Sequence, residues 1–122
     1  FEGLMAKWSN SELKPFHPAA RASYRESFTV PERIHAMCED YRAGATLDRA
    51  ADEEDLKAGK RILCPVLVVW GAFYLTGKDS DPLAIWRQSF APQAEGARTE
   101  GGHFVAEEDA AGTLQALQDF LG

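Results

Sequence analysis

One histidine lies in a stretch that could present it for proton transfer, Gly101-Gly102-His103-Phe104-Val105-Ala106-Glu107-Glu108. Glycine adopts backbone conformations closed to other residues, so a tight loop at Gly101 and Gly102 can turn the imidazole outward. Histidine is the side chain best suited to exchange a proton near neutral pH. Taken alone, the stretch is more simply interpreted as a solvated or helix-capping histidine, so a catalytic interpretation depends on the rest of the chain.

Composition limits the partners of the protein. The 122 residues are 45% hydrophobic and 26% charged, which is typical of a soluble domain with a modest core. A net charge of −6 argues against nucleic acid or an anionic membrane surface as a partner. The longest apolar run, Val66 to Trp70, is too short to span a bilayer, and the chain starts without a signal-peptide pattern. We therefore predict a cytoplasmic protein.

Cysteine usage points the same way. Cys38 and Cys64 lie in apolar segments, and we predict buried free thiols in a reducing compartment, with one disulfide as the alternative. Their spacing is not that of metal ligands, and we predict neither a metal site nor a cofactor. The first residue is Phe1 rather than methionine, which indicates a fragment or a processed chain.

The first half of the chain is predicted to be helical. Residues 1–9 have the spacing of a helix end, and Pro18 and Pro31 each suit the first turn of a new helix. The helix from Pro31 carries an apolar stripe at helical spacing, made of Ile34, Met37, Cys38, Tyr41 and Ala45. The acidic, alanine-rich residues 48–58 predict a third helix that ends at Gly59.

The second half alternates strands and helices. Residues 62–71 form an apolar, β-branched run ended by glycine, which is typical of a strand buried in a parallel sheet. A loop follows, then a helix with Ser80 as N-cap and Pro82 in its first turn. Residues 94–100 are predicted to form a second strand and residues 107–121 a last helix. The side chains predicted to face the core are Trp70, Leu83, Ile85, Trp86, Phe90, Leu114, Leu117 and Leu121.

Two strand–helix units do not form a stable parallel sheet alone, because such a sheet needs strands on both edges and layers on both faces. The predicted helices of the first half likewise lack a surface to cover. The pattern therefore indicates the second half of a larger α/β enzyme with an inserted helical lid.

Four segments in order carry a family resemblance: CEDYRAGA at 38–45, CPVLVVWG at 64–71, DPLAIWR at 81–87 and GHFVAEE at 102–108. Together they resemble the haloacetate dehalogenases of the α/β-hydrolase superfamily, which include the fluoroacetate dehalogenases. The first segment is the most specific, since many α/β-hydrolases share the Trp-Gly strand end and the Gly-His-Phe loop. The resemblance implies an α/β class with part of the hydrolase fold, a mostly parallel sheet flanked by helices. Residues 1–57 would be the later part of a helical cap domain, and residues 58–122 the C-terminal strands and helices of the core.

The resemblance also implies a reaction. His103 would be the catalytic histidine of an Asp–His–Asp triad, in which one aspartate displaces the halide and forms an ester, and the histidine activates water to hydrolyse it. Tyr41 matches the cap tyrosine that donates a hydrogen bond to the departing halide, although it also fits as a core residue of its stripe. Trp8 matches a tryptophan near the substrate entrance, but a tryptophan at helical spacing is more often a core residue.

Parts of the family's site are absent from the sequence. No segment resembles the strand–helix elbow that carries the nucleophile and the carboxylate-binding arginines, and the His-Trp pair of further halide donors is also missing. The triad acid usually follows an earlier strand, although Asp79 and Asp81 occupy the place used by related hydrolases. An aspartate before a proline more simply starts a helix, so Asp81 has that second interpretation.

We therefore expect part of a haloacetate dehalogenase whose partners are a small haloacid substrate, its halide, and the N-terminal half that carries the nucleophile. Neither nucleic acid nor membrane is expected as a partner, and a homodimer would cover the sheet edge. An epoxide hydrolase or an esterase with the same histidine loop is the alternative. A third hypothesis is that the chain by itself is a non-catalytic fragment.

Overall fold

Helices dominate the computed structural model, which describes residues 1–9, 12–73 and 80–122. In chain order the elements are α1 (Glu2–Trp8), α2 (Pro18–Ser27), α3 (Pro31–Ala45), α4 (Leu47–Lys57), β1 (Leu67–Gly71), α5 (Pro82–Ser89), β2 (Glu95–Thr99), α6 (Val105–Glu108) and α7 (Ala110–Leu121). They form two compact units. One contains residues 1–17 and 62–122, and the other contains residues 18–61. The predicted domain division at residues 57 and 58 stays a prediction.

The helical unit confirms the helices predicted for residues 18–61. Pro18 and Pro31 are the first residues of α2 and α3, where the missing proline N–H breaks no helical hydrogen bond. Gly59 follows α4 with a φ of +71°, a left-handed conformation that glycine adopts without strain. α3 and α4 pack on each other. The apolar stripe of α3 is nevertheless exposed, with Tyr41 at 68%, because α4 covers only part of that helix.

The second unit contains the predicted parallel strands. β1 and β2 pair in parallel from Leu67 opposite Glu95 to Gly71 opposite Thr99, and α5 connects them. The first strand is shorter than predicted, since residues 62–66 precede the ladder. Pro65 has no N–H to donate to a neighbouring strand, which limits pairing at this end. The second strand is confirmed.

A small apolar core lies between the sheet and α5. Val68, Ala91 and Ala94 are buried, and Trp70 and Leu83 pack against them. Six predicted core positions lie outside this cluster, and the prediction of burial is wrong for all but the half-buried Phe90. Five of them are exposed, namely Ile85, Trp86, Leu114, Leu117 and Leu121. A sheet of two strands offers each helix too little apolar surface to cover its whole inner face.

Three local predictions need correction. Cys38 and Cys64 are free, as predicted, but they are exposed rather than buried. The N-cap of α5 is Asp81 rather than Ser80. The last helix is broken at Asp109, which ends α6 and caps α7. No helix within the described residues is long and apolar enough to cross a membrane.

Candidate active site

His103 lies in the loop of residues 100–104, here called the histidine loop, between the end of β2 and the start of α6. Gly101 and Gly102 are buried, and His103 is half-buried with its Nδ1 atom inside the protein. The loop follows the carboxyl end of a parallel strand, which is where open α/β sheets place their functional side chains. The position is therefore suitable for a general base.

The histidine loop is held against the end of β1. The N–H of Ala72 donates to the carbonyl of Thr99 (2.9 Å), and the N–H of Phe73 donates to the carbonyl of Gly101 (3.1 Å). A Cβ atom at Gly71 would collide with the carbonyl oxygens of Gly101 and Gly102. The glycine that ends β1 is thus required by the close approach of the histidine loop.

Two carboxylates, Glu108 and Asp109, bind the ends of the histidine loop. Oδ2 of Asp109 accepts from the N–H of Glu100 at 2.9 Å, and its Oδ1 accepts from the N–H of Gly112 at 2.9 Å. Oε1 of Glu108 accepts from the N–H of Phe104 at 3.0 Å. The peptide groups on either side of the two glycines and His103 are therefore tied to the junction of α6 and α7.

Asp109 is stabilised in its charged form. Hydrogen bonds from the backbone N–H groups of Glu100 and then Gly112 lower the pKa of its carboxyl below the ordinary value of 3.8, and burial opposes this only in part. Because the folded state depresses this pKa, the resulting stability is fully present above about pH 4. It is lost as the pH falls through the lower folded-state pKa.

We expect Asp109→Asn to reveal this pH dependence. The difference in free energy of unfolding between the original protein and the variant should be largest near neutral pH and should shrink as the pH falls below about 4. Chemical unfolding at a series of pH values measures it. Asp119→Asn is the matched control, since Asp119 on α7 accepts from the side chain of Gln115 on the same helix. A difference that stayed constant down to the lowest pH would contradict the assignment.

Aromatic rings surround the imidazole. The ring of Trp8 lies 5.1 Å from the ring of His103 between centroids, at an interplanar angle of 58°. Phe104 lies edge-on to the imidazole at 4.7 Å, and Phe16 in turn lies edge-on to Phe104 at 5.1 Å. The site thus includes Trp8, which the resemblance matched to a tryptophan near the substrate entrance and whose helical spacing favoured a core position. No local pattern identifies this contact, because the two rings are far apart in the chain.

The other predicted site residues are not on the histidine loop. Tyr41 lies on α3 in the helical unit, with its side chain exposed. Asp79 lies outside the described residues. Oδ1 of Asp81 accepts from the N–H of Ala84 at 3.0 Å and caps α5, as its second interpretation predicted. An open cavity of about 530 Å³ adjoins Asp81, and it is lined by Trp70, Ala72, Ser80, Asp81, Pro82, Leu83 and Arg98.

The described residues contain no candidate set of metal ligands. No group of three or more histidine, cysteine, aspartate or glutamate side chains there could hold a metal ion. The chemistry that the arrangement supports is proton transfer by an imidazole whose backbone and neighbouring rings are fixed.

Comparison with known proteins shows which proteins this chain is similar to. No protein-family model matches the chain. It is 32% identical over 121 residues to a fluoroacetate dehalogenase from Burkholderia sp., a match that covers 99% of this chain and 39% of that protein. The chain therefore spans about two fifths of the length of this curated relative.

The solved structures that match this chain are also covered by it over about two fifths of their length. A protein described as an α/β hydrolase from Nostoc sp. PCC 7120 matches with a TM-score of 0.87 and 44% identity, over 98% of this chain and 40% of that one. A protein described as an epoxide hydrolase from Pseudomonas aeruginosa matches with a TM-score of 0.82 and 39% identity, over 96% of this chain and 37% of that one. The predicted fold class is confirmed.

Proposed function

We propose, for a chain that has the fold of part of an α/β-hydrolase, that the complete protein hydrolyses the carbon–halogen bond of haloacetates. The observation that carries this proposal is the identity of 32% over 121 residues with a fluoroacetate dehalogenase. The nucleophilic aspartate would belong to an N-terminal half outside these 122 residues. This chain would supply the histidine that completes each turnover.

The reaction proceeds in two steps. An oxygen of the aspartate carboxylate attacks the carbon that bears the halogen, so a C–O bond forms while the halide leaves with the electrons of the C–X bond. Water then adds to the carbonyl carbon of the ester as His103 accepts its proton. Collapse of the adduct expels the alkoxide, which takes the proton back from His103 to become a hydroxy acid. The aspartic acid left behind releases the second proton of the water to solvent, which restores the carboxylate.

The geometry of the histidine loop supports the second step. A general base must be fixed within hydrogen-bonding reach of its water, and the hydrogen bonds and rings around His103 restrict its backbone and imidazole. Half-burial leaves part of the imidazole accessible to a water molecule. The triad acid is proposed to follow an earlier strand outside this chain, since Asp81 already caps α5. Asp79 is the second candidate.

Tyr41→Phe in the complete protein is expected to slow halide release by about ten- to a hundredfold. A hydrogen bond to a charged group contributes about 1.5–3 kcal/mol, and this one would strengthen as charge grows on the leaving halide. Single-turnover halide release measures the step. Tyr24→Phe on α2 is the matched control and should keep the original rate. An unchanged rate in Tyr41→Phe would make Tyr41 a packing residue.

An epoxide hydrolase is the second candidate. The observation in its favour is the 39% identity with the Pseudomonas aeruginosa protein described as an epoxide hydrolase. Both reactions suit an aspartate nucleophile and a water-activating histidine, so this chain alone does not separate them. Product analysis does, because a haloacetate gives a hydroxy acid and free halide, whereas an epoxide gives a diol.

The deciding experiment compares the complete protein with the 122-residue chain. Each is incubated with fluoroacetate, chloroacetate and a terminal epoxide, and halide and diol are quantified. We expect halide from the complete protein and none from the chain alone. Diol without halide would favour the second candidate, and neither product would overturn both. Native and denaturing mass measurements on the same samples report whether a second polypeptide or a second copy is bound.

A further inference from the structure

We infer that Glu108 and Asp109 are positioning residues of His103, a carboxylate clamp that fixes both ends of the histidine loop. The inference rests on the proposed function, because His103 needs a fixed orientation only if it activates water. Neither side chain would touch the substrate. Each would act through the backbone on which His103 is carried.

Glu108 holds the end of the histidine loop. The N–H of Phe104 belongs to the same peptide group as the carbonyl of His103, so its direction sets how the backbone leaves His103. That N–H donates to the carboxylate of Glu108 at 3.0 Å, while the N–H of Glu108 donates back to the carbonyl of Phe104 at 2.8 Å. This reciprocal pair fixes the peptide groups on both sides of Phe104.

Asp109 holds the start of the histidine loop. The N–H of Glu100 is the first after β2, and it donates to Oδ2 of Asp109. The other oxygen of Asp109 caps α7 through the N–H of Gly112, and a Cβ atom at Gly112 would collide with that carboxylate. Asp109 thus has little freedom to move, since α7 packs against both strands.

Glu108 also contacts the start of the histidine loop. A Cβ atom at Gly101 would lie 3.2 Å from the Cβ of Glu108, so the side chain packs closely over this glycine. Thr99 adds to the support, because its Oγ1 accepts from the N–H of Gly101 at 3.4 Å. Glu108 therefore contacts both ends of the segment that carries the imidazole.

The position of the two acids in the chain lets one short segment hold both ends of the histidine loop. The two acids are adjacent in the chain, at the break between α6 and α7, and charge-assisted hydrogen bonds from backbone N–H groups are stronger than neutral ones. Loss of either acid should release one end of the histidine loop. The imidazole would then sample orientations that do not reach the ester.

Hydrogen exchange in the complete protein tests the clamp without reference to activity. We expect Glu108→Ala to raise exchange at the Phe104 amide on the order of tenfold relative to the Ala97 amide of β2. Asp109→Ala should do the same at Glu100. Glu108→Gln keeps an acceptor oxygen and should stay close to the original protein. Leu83→Ala, which weakens the core, should raise exchange without singling out these amides.

The side-chain NMR signals of His103 test its orientation. In Glu108→Ala they should shift and broaden, whereas those of His17 and His35 should stay in place. Unchanged His103 signals together with unchanged relative exchange at Phe104 would overturn the proposal. So would signals that shift equally in Leu83→Ala, because general loosening would then explain them.

Activity of the complete protein separates a positioning role from a purely structural one. Glu108→Ala should lower kcat and KM together and leave kcat/KM nearly unchanged, because the ester accumulates when its hydrolysis, which depends on His103, becomes slow. Glu108→Gln should restore turnover. A lower kcat without accumulated ester would overturn the positioning role. If the original complete protein releases no halide, the proposed function fails, and exchange and NMR signals still decide whether the clamp exists.

Discussion

Replacing His103 with asparagine in the complete protein is expected to stop turnover after one halide per active site. Displacement of halide by the aspartate does not need the imidazole, whereas hydrolysis of the ester does. Loss of a general base typically lowers a rate by about 10²–10⁴-fold, so the ester should outlast the measurement. A rapid burst of halide followed by a flat trace would report the block, and intact-protein mass would show the added carboxymethyl group.

His35→Asn is the matched control for this experiment. His35 lies on α3 and pairs with Glu39 one turn away on the same exposed helix face, with 3.7 Å between Nε2 and Oε1. Its replacement should leave turnover near that of the original protein. Steady halide release by the His103 variant would remove His103 from the reaction. A variant that released no halide at all would show instead that His103 is needed before the ester forms.

Gly71→Ala is expected to have the largest effect on stability. The added methyl group would overlap the carbonyl oxygens of Gly101 and Gly102, and both are backbone atoms that cannot rotate away. Overpacking of this kind costs about 1–3 kcal/mol in free energy of unfolding. Denaturant unfolding of the complete protein measures the loss. The hydrogen bond from Phe73 to Gly101 should weaken as well, which hydrogen exchange at Phe73 would detect.

Gly44→Ala on α3 is the control for the glycine experiment. A Cβ atom at Gly44 would meet no atom within 4 Å, and alanine favours a helix by about 0.5–1 kcal/mol relative to glycine. The two identical substitutions should therefore change stability in opposite directions. A neutral effect of Gly71→Ala would mean that the histidine loop can move away from β1. The close approach would then not be what keeps glycine at this position.

Much of the fold could be predicted because its signals are local. Pro18 and Pro31 start helices whatever lies around them, since proline fixes its own φ and lacks an N–H. The apolar run that ends at Gly71 indicated a buried parallel strand, and β1 pairs with β2 in that way. Burial was harder to predict. Periodicity identifies the apolar face of α7, but it does not say whether a neighbour covers that face, and Leu114 and Leu121 are exposed.

The sequence alone determined most of the helices, the strand–helix–strand order and the position of His103 in a glycine loop after the second strand. Those features depend on residue types and on spacing over a few neighbours. Only the tertiary structure decided that Trp8 lies against the imidazole and that Asp109 binds the start of the histidine loop. Such contacts join residues of different elements, and neither the helix period nor the strand period relates their positions in the chain. They are set by parallel pairing, which brings the end of β1 against the histidine loop, and by the packing of α7 on both strands.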